Sequence, residues 1–194
     1  MLKPQSIIKM RCMTFKIKKL ETTRELEDVA ALASEIWTEH YTPLIGAAQT
    51  AYMIDVFQSA ERIKKDIADQ NYNYFAAYDD ALPGRQIGYF ALRPDEKGVF
   101  VSKIYVLKEY RQKGIATLMM NFILDFAKAT VKSEKLFDTN RKQPCLWLTV
   151  NKGNLGSIEF YKKTGFTIEE EIVTDIGNGF FMDDYVMTLY FDAD

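Results

Sequence analysis

Histidine occurs once in the 194 residues, at position 40, and cysteine twice, at positions 12 and 145. A single histidine excludes a histidine-rich metal site and makes any serine-type triad depend on His40 alone. Cys12 and Cys145 form no Cys-x-x-Cys pair, so neither a thiolate zinc site nor a disulfide framework is expected, and a reducing cytoplasm fits best. No 18 apolar residues run together, which argues against a transmembrane helix. The opening MLKPQSIIKMRCMTF carries Lys and Arg where a signal peptide would need its apolar run. An excess of either charge is also missing: 25 Lys and Arg stand against 27 Asp and Glu, a net charge of -2. Nucleic acid therefore has no electrostatic claim as a partner, and any anionic ligand must be held locally. With no Pro/Gly/Ser-rich linker and no internal repeat, the chain reads as one globular domain over residues 1–194, with residues 1–11 as an N-terminal extension.

What is present is a succession of clear periods. Residues 13–20 alternate as a strand does. Thr22 and Glu25 then form a capping-box pattern ahead of Leu26, Val29, Ala30, Ala33 and Trp37 at helical spacing, predicting a helix to about His40. Pro43 and Gly46 interrupt, and one or two further helical stretches follow with a break at Ser59. From Tyr72 the period becomes that of strands: YNYFAAYD, RQIGYFALR and GVFVSKIYVL, with turns at Pro83-Gly84 and between Pro94 and Gly98. Ile115, Leu118, Met119, Phe122, Ile123 and Phe126 make the stripe of an amphipathic helix. A polar stretch, SEKLFDTNRKQP, leads to the buried strand CLWLTV. A helix from Asn154 to Thr164 stops at Gly165, and two strands flank the turn GNG. The order predicts an α/β (α+β) sheet, mixed and mostly antiparallel, with a right-handed crossover making the strands on either side of residues 114–144 parallel.

Two local patterns carry chemistry. Arg111-Gln112-Lys113-Gly114-Ile115-Ala116-Thr117 lies between an apolar strand and an amphipathic helix. Gly114 lets the backbone approach a ligand, Ala116 leaves it room, and the amides of a helix N-terminus beside Lys113 suit phosphate. In VNKGNLGSIEFYKKTGF, Asn154 is placed to cap a helix and Gly165 to end it; Phe160 and Tyr161 on their own read equally well as core aromatics.

In this order, IYVLKEYRQKGIA and VNKGNLGSIEFYKKTGF resemble the two motifs of the GNAT superfamily of acyl-CoA-dependent N-acetyltransferases, with the intervening helix and strand in place. The likeness runs from about Tyr72 to Phe191. It implies a seven-stranded sheet with helices on both faces and a splayed parallel pair binding acetyl-CoA, and no metal. It also implies main-chain contacts from Ile104, Tyr105 and Val106 to the pantetheine arm, and a pyrophosphate on the amides of residues 112–117 beside Arg111. Asn154 takes the family position against the arm and Tyr161 that near the sulfur. A phenol suits that place, since its ordinary pKa of about 10 lets it return a proton to a thiolate.

The base is open. GVFVSKIYV has no glutamate where many relatives carry one. Thr149 stands where the ribosomal-protein N-terminal acetyltransferases have Glu. Glu39 or His40, in IWTEHYTP, is the substitute for base or amine positioning, and Asp184, in GNGFFMDDYVM, is expected to contact the acceptor. Asp183, Asp175 and residues 169–171 make that end acidic, while Arg111, Lys113, Lys152, Lys162 and Lys163 gather near the cofactor motifs. WTEHYTP, FQS and GNGFFMDDYVM together are similar to the branch containing polyamine (spermidine/spermine) acetyltransferases. The expected activity is acetyl transfer to a small cationic primary amine by direct attack in a ternary complex. The alternatives are a protein lysine or N-terminal acetyltransferase and a non-catalytic acyl-CoA-binding regulator. Neither a nucleic acid nor a membrane is expected as a partner; a homodimer through C-terminal edge strands is a family habit.

Overall fold

A computed structural model describes residues 7–10, 13–133 and 143–192. Cys12, most of the N-terminal extension and most of the polar stretch before residue 145 lie outside them. The chain divides into two compact units, Met1–Arg93 with Lys103–Phe126, and Pro94–Ser102 with Ala127–Asp194.

In the first unit the strands follow chain order, β1 (Ile7–Met10), β2 (Met13–Lys19), β3 (Asn73–Asp79), β4 (Gln86–Asp95) and β5 (Gly98–Val106). Strands β4 and β5 leave this unit after Arg93 and re-enter it at Lys103. Pairing from β1 to β4 is antiparallel, as a meander with short turns requires. Helices α1 (Thr23–Ile45), α2 (Ala47–Phe57) and α3 (Ala60–Gln70) separate β2 from β3, and α4 (Ile115–Ser133) follows β5. The capping box forms: Glu25 N–H donates to Thr22 Oγ1 at 3.3 Å and Thr22 N–H donates to Glu25 Oε2 at 2.9 Å. Helix α1 continues past His40 and Pro43 to Ile45, where Gly46 at φ 83° ends it. A proline in the last turn removes only one intrahelical bond, so it does not stop the helix where the sequence pattern places the break. Strand β4 likewise runs through Pro94, one residue from its end.

Alternation along β3 and β4 sends neighbouring aromatics to opposite faces. On one face Phe75 stacks on Phe90 at 5.0 Å and meets Phe122 and Phe126 of α4 edge-on. On the other, Tyr74 donates to Asp66 of α3, and Tyr89 donates to Gln58 at the end of α2. Helices thus cover both faces.

The second unit contains β6 (Cys145–Asn151), α5 (Leu155–Lys163), β7 (Thr167–Gly177) and β8 (Phe180–Tyr190), ordered β5-β6-β8-β7. The expected crossover is present, with β6 parallel to β5 and antiparallel to β8. Gly98 makes the parallel contact possible, because a Cβ there would overlap the Cys145 carbonyl. Phe100 stacks on Trp147 at 4.2 Å, and Trp147 Nε1 donates to Asp95 at 3.0 Å. Among the described residues the paired register ends at Phe100 and Trp147, although β5 runs on to Val106 and β6 to Asn151. Strands β2–β8 make up the seven strands expected; β1, inside the expected extension, adds an eighth beside β2.

Candidate active site

In the first unit, β5 ends in a 3-10 turn over Lys108–Tyr110 and a loop whose dihedrals alternate in sign. Arg111 has φ -68°, Gln112 φ 59° and Gly114 φ 79°. Alternating right- and left-handed residues turn successive N–H groups toward one concave side, an anion-binding shape. The first intrahelical bond is Leu118 N–H to the Gly114 carbonyl at 2.9 Å, so the amides of Ile115, Ala116 and Thr117 precede the α4 ladder. Tyr110 is buried under the loop, and its hydroxyl donates to Asp79 at 3.2 Å. Lys113 lies over the Tyr110 ring at 5.0 Å. The loop is therefore held from below while Gln112, Lys113 and Thr117 stay exposed.

Behind it, Ile104 and Tyr105 are half-buried and Val106 is buried. Gly88 of β4 faces this strand, and a Cβ there would sit 2.7 Å from the Tyr105 carbonyl oxygen. The Tyr105 ring joins an aromatic cluster that the sequence reading did not single out. It meets Tyr89 at 5.3 Å, Trp37 at 5.7 Å and Tyr41 at 6.2 Å, and Trp37 and Tyr41 stack at 4.1 Å. Trp37 and Tyr41 lie four apart on α1, a spacing that could have linked them. Burial pushes the Tyr89 phenol well above its ordinary pKa, while a contact with Trp37 pulls it the other way. His40 packs edge-on against Tyr41 at 4.8 Å. Glu39 forms an ion pair with Lys108 at 2.9 Å.

A buried ionic cluster also lies in this unit. Asp66 accepts from Arg62 Nε at 2.6 Å and from Tyr74 at 2.9 Å, and Lys103 Nζ is 3.9 Å away. Lys103, only 7% exposed, is pushed down to about 8 by burial, with Asp66 opposing that shift.

In the second unit, Asn154 is buried and caps α5, accepting from Ser157 N–H at 3.4 Å. Tyr161 is buried on α5 between Phe160 and Phe166, with ring centroids 5.6 and 5.7 Å away. Gly165, at φ 97°, closes the helix and lets Phe166 N–H return to the Tyr161 carbonyl at 3.0 Å. Asp184 on β8 is 7% exposed and stands opposite Asn151 of β6 and Ile172 of β7. Burial and then Asp183 raise it to about 6; Asn151 and Lys152 act against the rise. Its Oδ1 is buried without a hydrogen-bond partner. Asp183 is exposed and paired with Lys152 at 2.6 Å, and Lys152 also reaches Glu171 at 2.9 Å. Lys152, grouped by sequence with the cofactor-side cations, is thus committed to the carboxylates of β7 and β8. Glu169, Glu170 and Glu171 are all exposed, as a solvated face requires.

Among the described residues no group of three or more His, Cys, Asp or Glu could hold a metal ion, and no helix is long and apolar enough to cross a membrane. A family model described as acetyltransferase (GNAT) domain matches residues 70–168. An uncharacterized N-acetyltransferase of Mycobacterium tuberculosis is 29% identical over 164 residues, which is 84% of this chain and 96% of the relative. The PaiA N-acetyltransferase of Thermoplasma acidophilum, solved in complex with coenzyme A, aligns with a TM-score of 0.70 at 19% identity, covering 91% of this chain and 99% of that one. A spermidine N-acetyltransferase SpeG chimera from Vibrio cholerae and hSSAT aligns at 0.62 and 20% identity, covering 91% and 95%. At such identities the two structures share the fold.

Proposed function

Because the chain belongs to the GNAT acetyltransferase family and is an acetyl-CoA-dependent N-acetyltransferase, we propose that its acceptor is a small cationic primary amine, a polyamine first among them, acetylated by direct attack. The observation that carries this reading is Asp184, a buried carboxylate with one unpartnered oxygen on a strand where Asp183 adds further negative charge. A protonated amine satisfies both needs, as donor to the orphaned oxygen and as counter-charge. The similarity to a spermidine N-acetyltransferase structure is consistent with it.

The residues present fit acetyl-CoA. The concave loop of residues 111–117, with its unladdered amides and exposed Lys113, suits a pyrophosphate. Main-chain groups of Ile104, Tyr105 and Val106 would hold the pantetheine arm in the manner of an added strand, and an amide of Ile104 or Val106 would face the thioester oxygen. Asn154 would contact the same arm. When bound, acetyl-CoA supplies an acyl carbon and a thiol leaving group. Tyr161 Oη holds the proton that the leaving sulfur needs. Glu39 and His40, at the end of α1, position the amine.

The test is thiol release from acetyl-CoA with spermidine, aminoglycosides and peptides in parallel. Turnover confined to small polycations supports the reading; turnover confined to peptides overturns it in favour of a protein acetyltransferase. Tyr161→Phe should lower kcat by a factor of about 100, and unchanged turnover removes Tyr161 from the proton path.

A further inference from the structure

An alkylammonium has no lone pair, so a base must take a proton before the nitrogen can attack. The carboxylates near the described motifs are mostly engaged. Glu39 is paired with Lys108, Asp66 is held by Arg62 and Tyr74, and Asp79 accepts from Tyr110 and the Ala81 amide. Asp95 accepts from Trp147 and the Lys97 and Gly98 amides, while Asp183 and Glu171 share Lys152. Asp184 differs. It is buried, and although its side chain has a hydrogen bond with Asn151, its Oδ1 meets no donor, the only carboxylate oxygen among the described residues left in that condition.

We infer that Asp184 is the base of the acetyl transfer, its Oδ1 taking the proton from the bound ammonium. This rests on the amine-acceptor reading above. The register places it suitably: Asp184 is opposite Asn151, the last residue of β6, and parity along paired strands puts it on the same sheet face as Thr149. The titratable and charged groups around it are Asp183 on β8, Lys152 just beyond β6, and Glu171 on β7, which shares Lys152 with Asp183. Its register partners Asn151 and Ile172 do not titrate. Burial and Asp183 together hold its protonation near the working pH, so the carboxylate is ionised at neutrality yet basic enough to accept.

The step balances. The ammonium enters with three protons on nitrogen, and Asp184 Oδ1 takes one. The nitrogen lone pair forms the N–C bond as the C–S bond breaks. Tyr161 gives its proton to the departing sulfur and recovers one from nitrogen as the amide forms, leaving one on the product. Asp184 then releases its proton to water.

The experiment is the pH profile of kcat/KM for the best amine, which reports the groups of the free enzyme, measured by thiol release for wild type, Asp184→Asn and Asp184→Glu. Wild type should show an acid limb near pH 6. Asp184→Asn should lose the limb and about 100-fold in kcat with an unchanged KM for acetyl-CoA, and Asp184→Glu should keep a displaced limb at reduced rate. An Asn variant that retains both limb and rate overturns the assignment. If that variant does not fold, an Asp184→Glu enzyme with unaltered limb and rate overturns it equally. Wild type without turnover on any amine overturns the acceptor reading as well, whereas active wild type beside an unaffected variant overturns Asp184 alone.

Discussion

Arg111 Nε donates a 3.1 Å hydrogen bond to the carbonyl oxygen of Val106, tying the phosphate-loop candidate to the last residue of β5. The guanidinium thus acts first as a brace for the backbone. It sets the direction in which the chain leaves the strand and enters the left-handed turn at Gln112.

Removing that brace should loosen the loop more than it disturbs chemistry. Arg111→Ala is expected to raise the KM for acetyl-CoA about tenfold, the equivalent of about 1.4 kcal/mol, while kcat changes by less than about threefold. Arg111→Lys should not restore binding, because an ammonium lacks the planar N–H that meets the carbonyl. Steady-state kinetics with varied acetyl-CoA decides.

Gly88 leaves no room for a side chain beneath β5. Its Cβ would lie 2.7 Å from the Tyr105 carbonyl oxygen and 2.7 Å from Met119 Cε. The methionine end can move, but the strand cannot without shifting the main chain of Tyr105 and Val106, the proposed cofactor contacts. Gly88→Ala should cost about 1–3 kcal/mol of stability and weaken acetyl-CoA binding. Adding Met119→Ala should not rescue either quantity, as urea unfolding and calorimetric titration would show.

The Lys103 and Asp66 pair should respond asymmetrically. Lys103 is held below its ordinary pKa, so its contribution to stability is present above about pH 10.5 and is lost as pH falls through about 8. Asp66 keeps Arg62 and Tyr74 without it. Lys103→Met should therefore stabilise the protein at pH 7 by about 1–3 kcal/mol and flatten the rise between pH 8 and 10.5. Asp66→Ala, which strands a buried cation, should destabilise by about 3–5 kcal/mol. Denaturant melts at pH 7 and 10 compare the two.

Asp184 gives the opposite pH signature. Its folded-state pKa is raised from 3.8 to about 6, so its contribution to stability is complete below about pH 4 and is lost as pH rises through about 6. Asp184→Asn should be more stable than wild type above pH 6, by at most about 3 kcal/mol, and equal to it near pH 4. Thermal melts across that range test this, and a variant less stable at pH 7 would contradict it.

Much of the local architecture was legible because it depends on nearest neighbours. Thr22 and Glu25 announce their own cap, Gly165 ends α5, and the GNG turn uses positive φ at Gly177, Asn178 and Gly179. The helix through Pro43 was not legible, since a breaker's effect depends on how many bonds remain to be lost at its position. The turn at residues 111–117 was readable because a glycine between an apolar strand and an amphipathic helix calls for only a few backbone conformations in a row. The Tyr105, Trp37, Tyr41 and Tyr89 cluster was not, since residues scattered over 69 positions meet only when β5, β4 and α1 pack.

The sequence by itself determined the order of elements, the two motifs and the residues that could hold a proton, because these rest on period, spacing and side-chain chemistry. Tertiary structure decided how those charges are partnered. Lys152 went to Asp183 and Glu171, Glu39 to Lys108, and Asp184 was left with a buried, unsatisfied oxygen. The physical reason is that a charge's role depends on its dielectric surroundings and its neighbours within a few ångströms, and strand register sets both across distances the linear sequence does not encode.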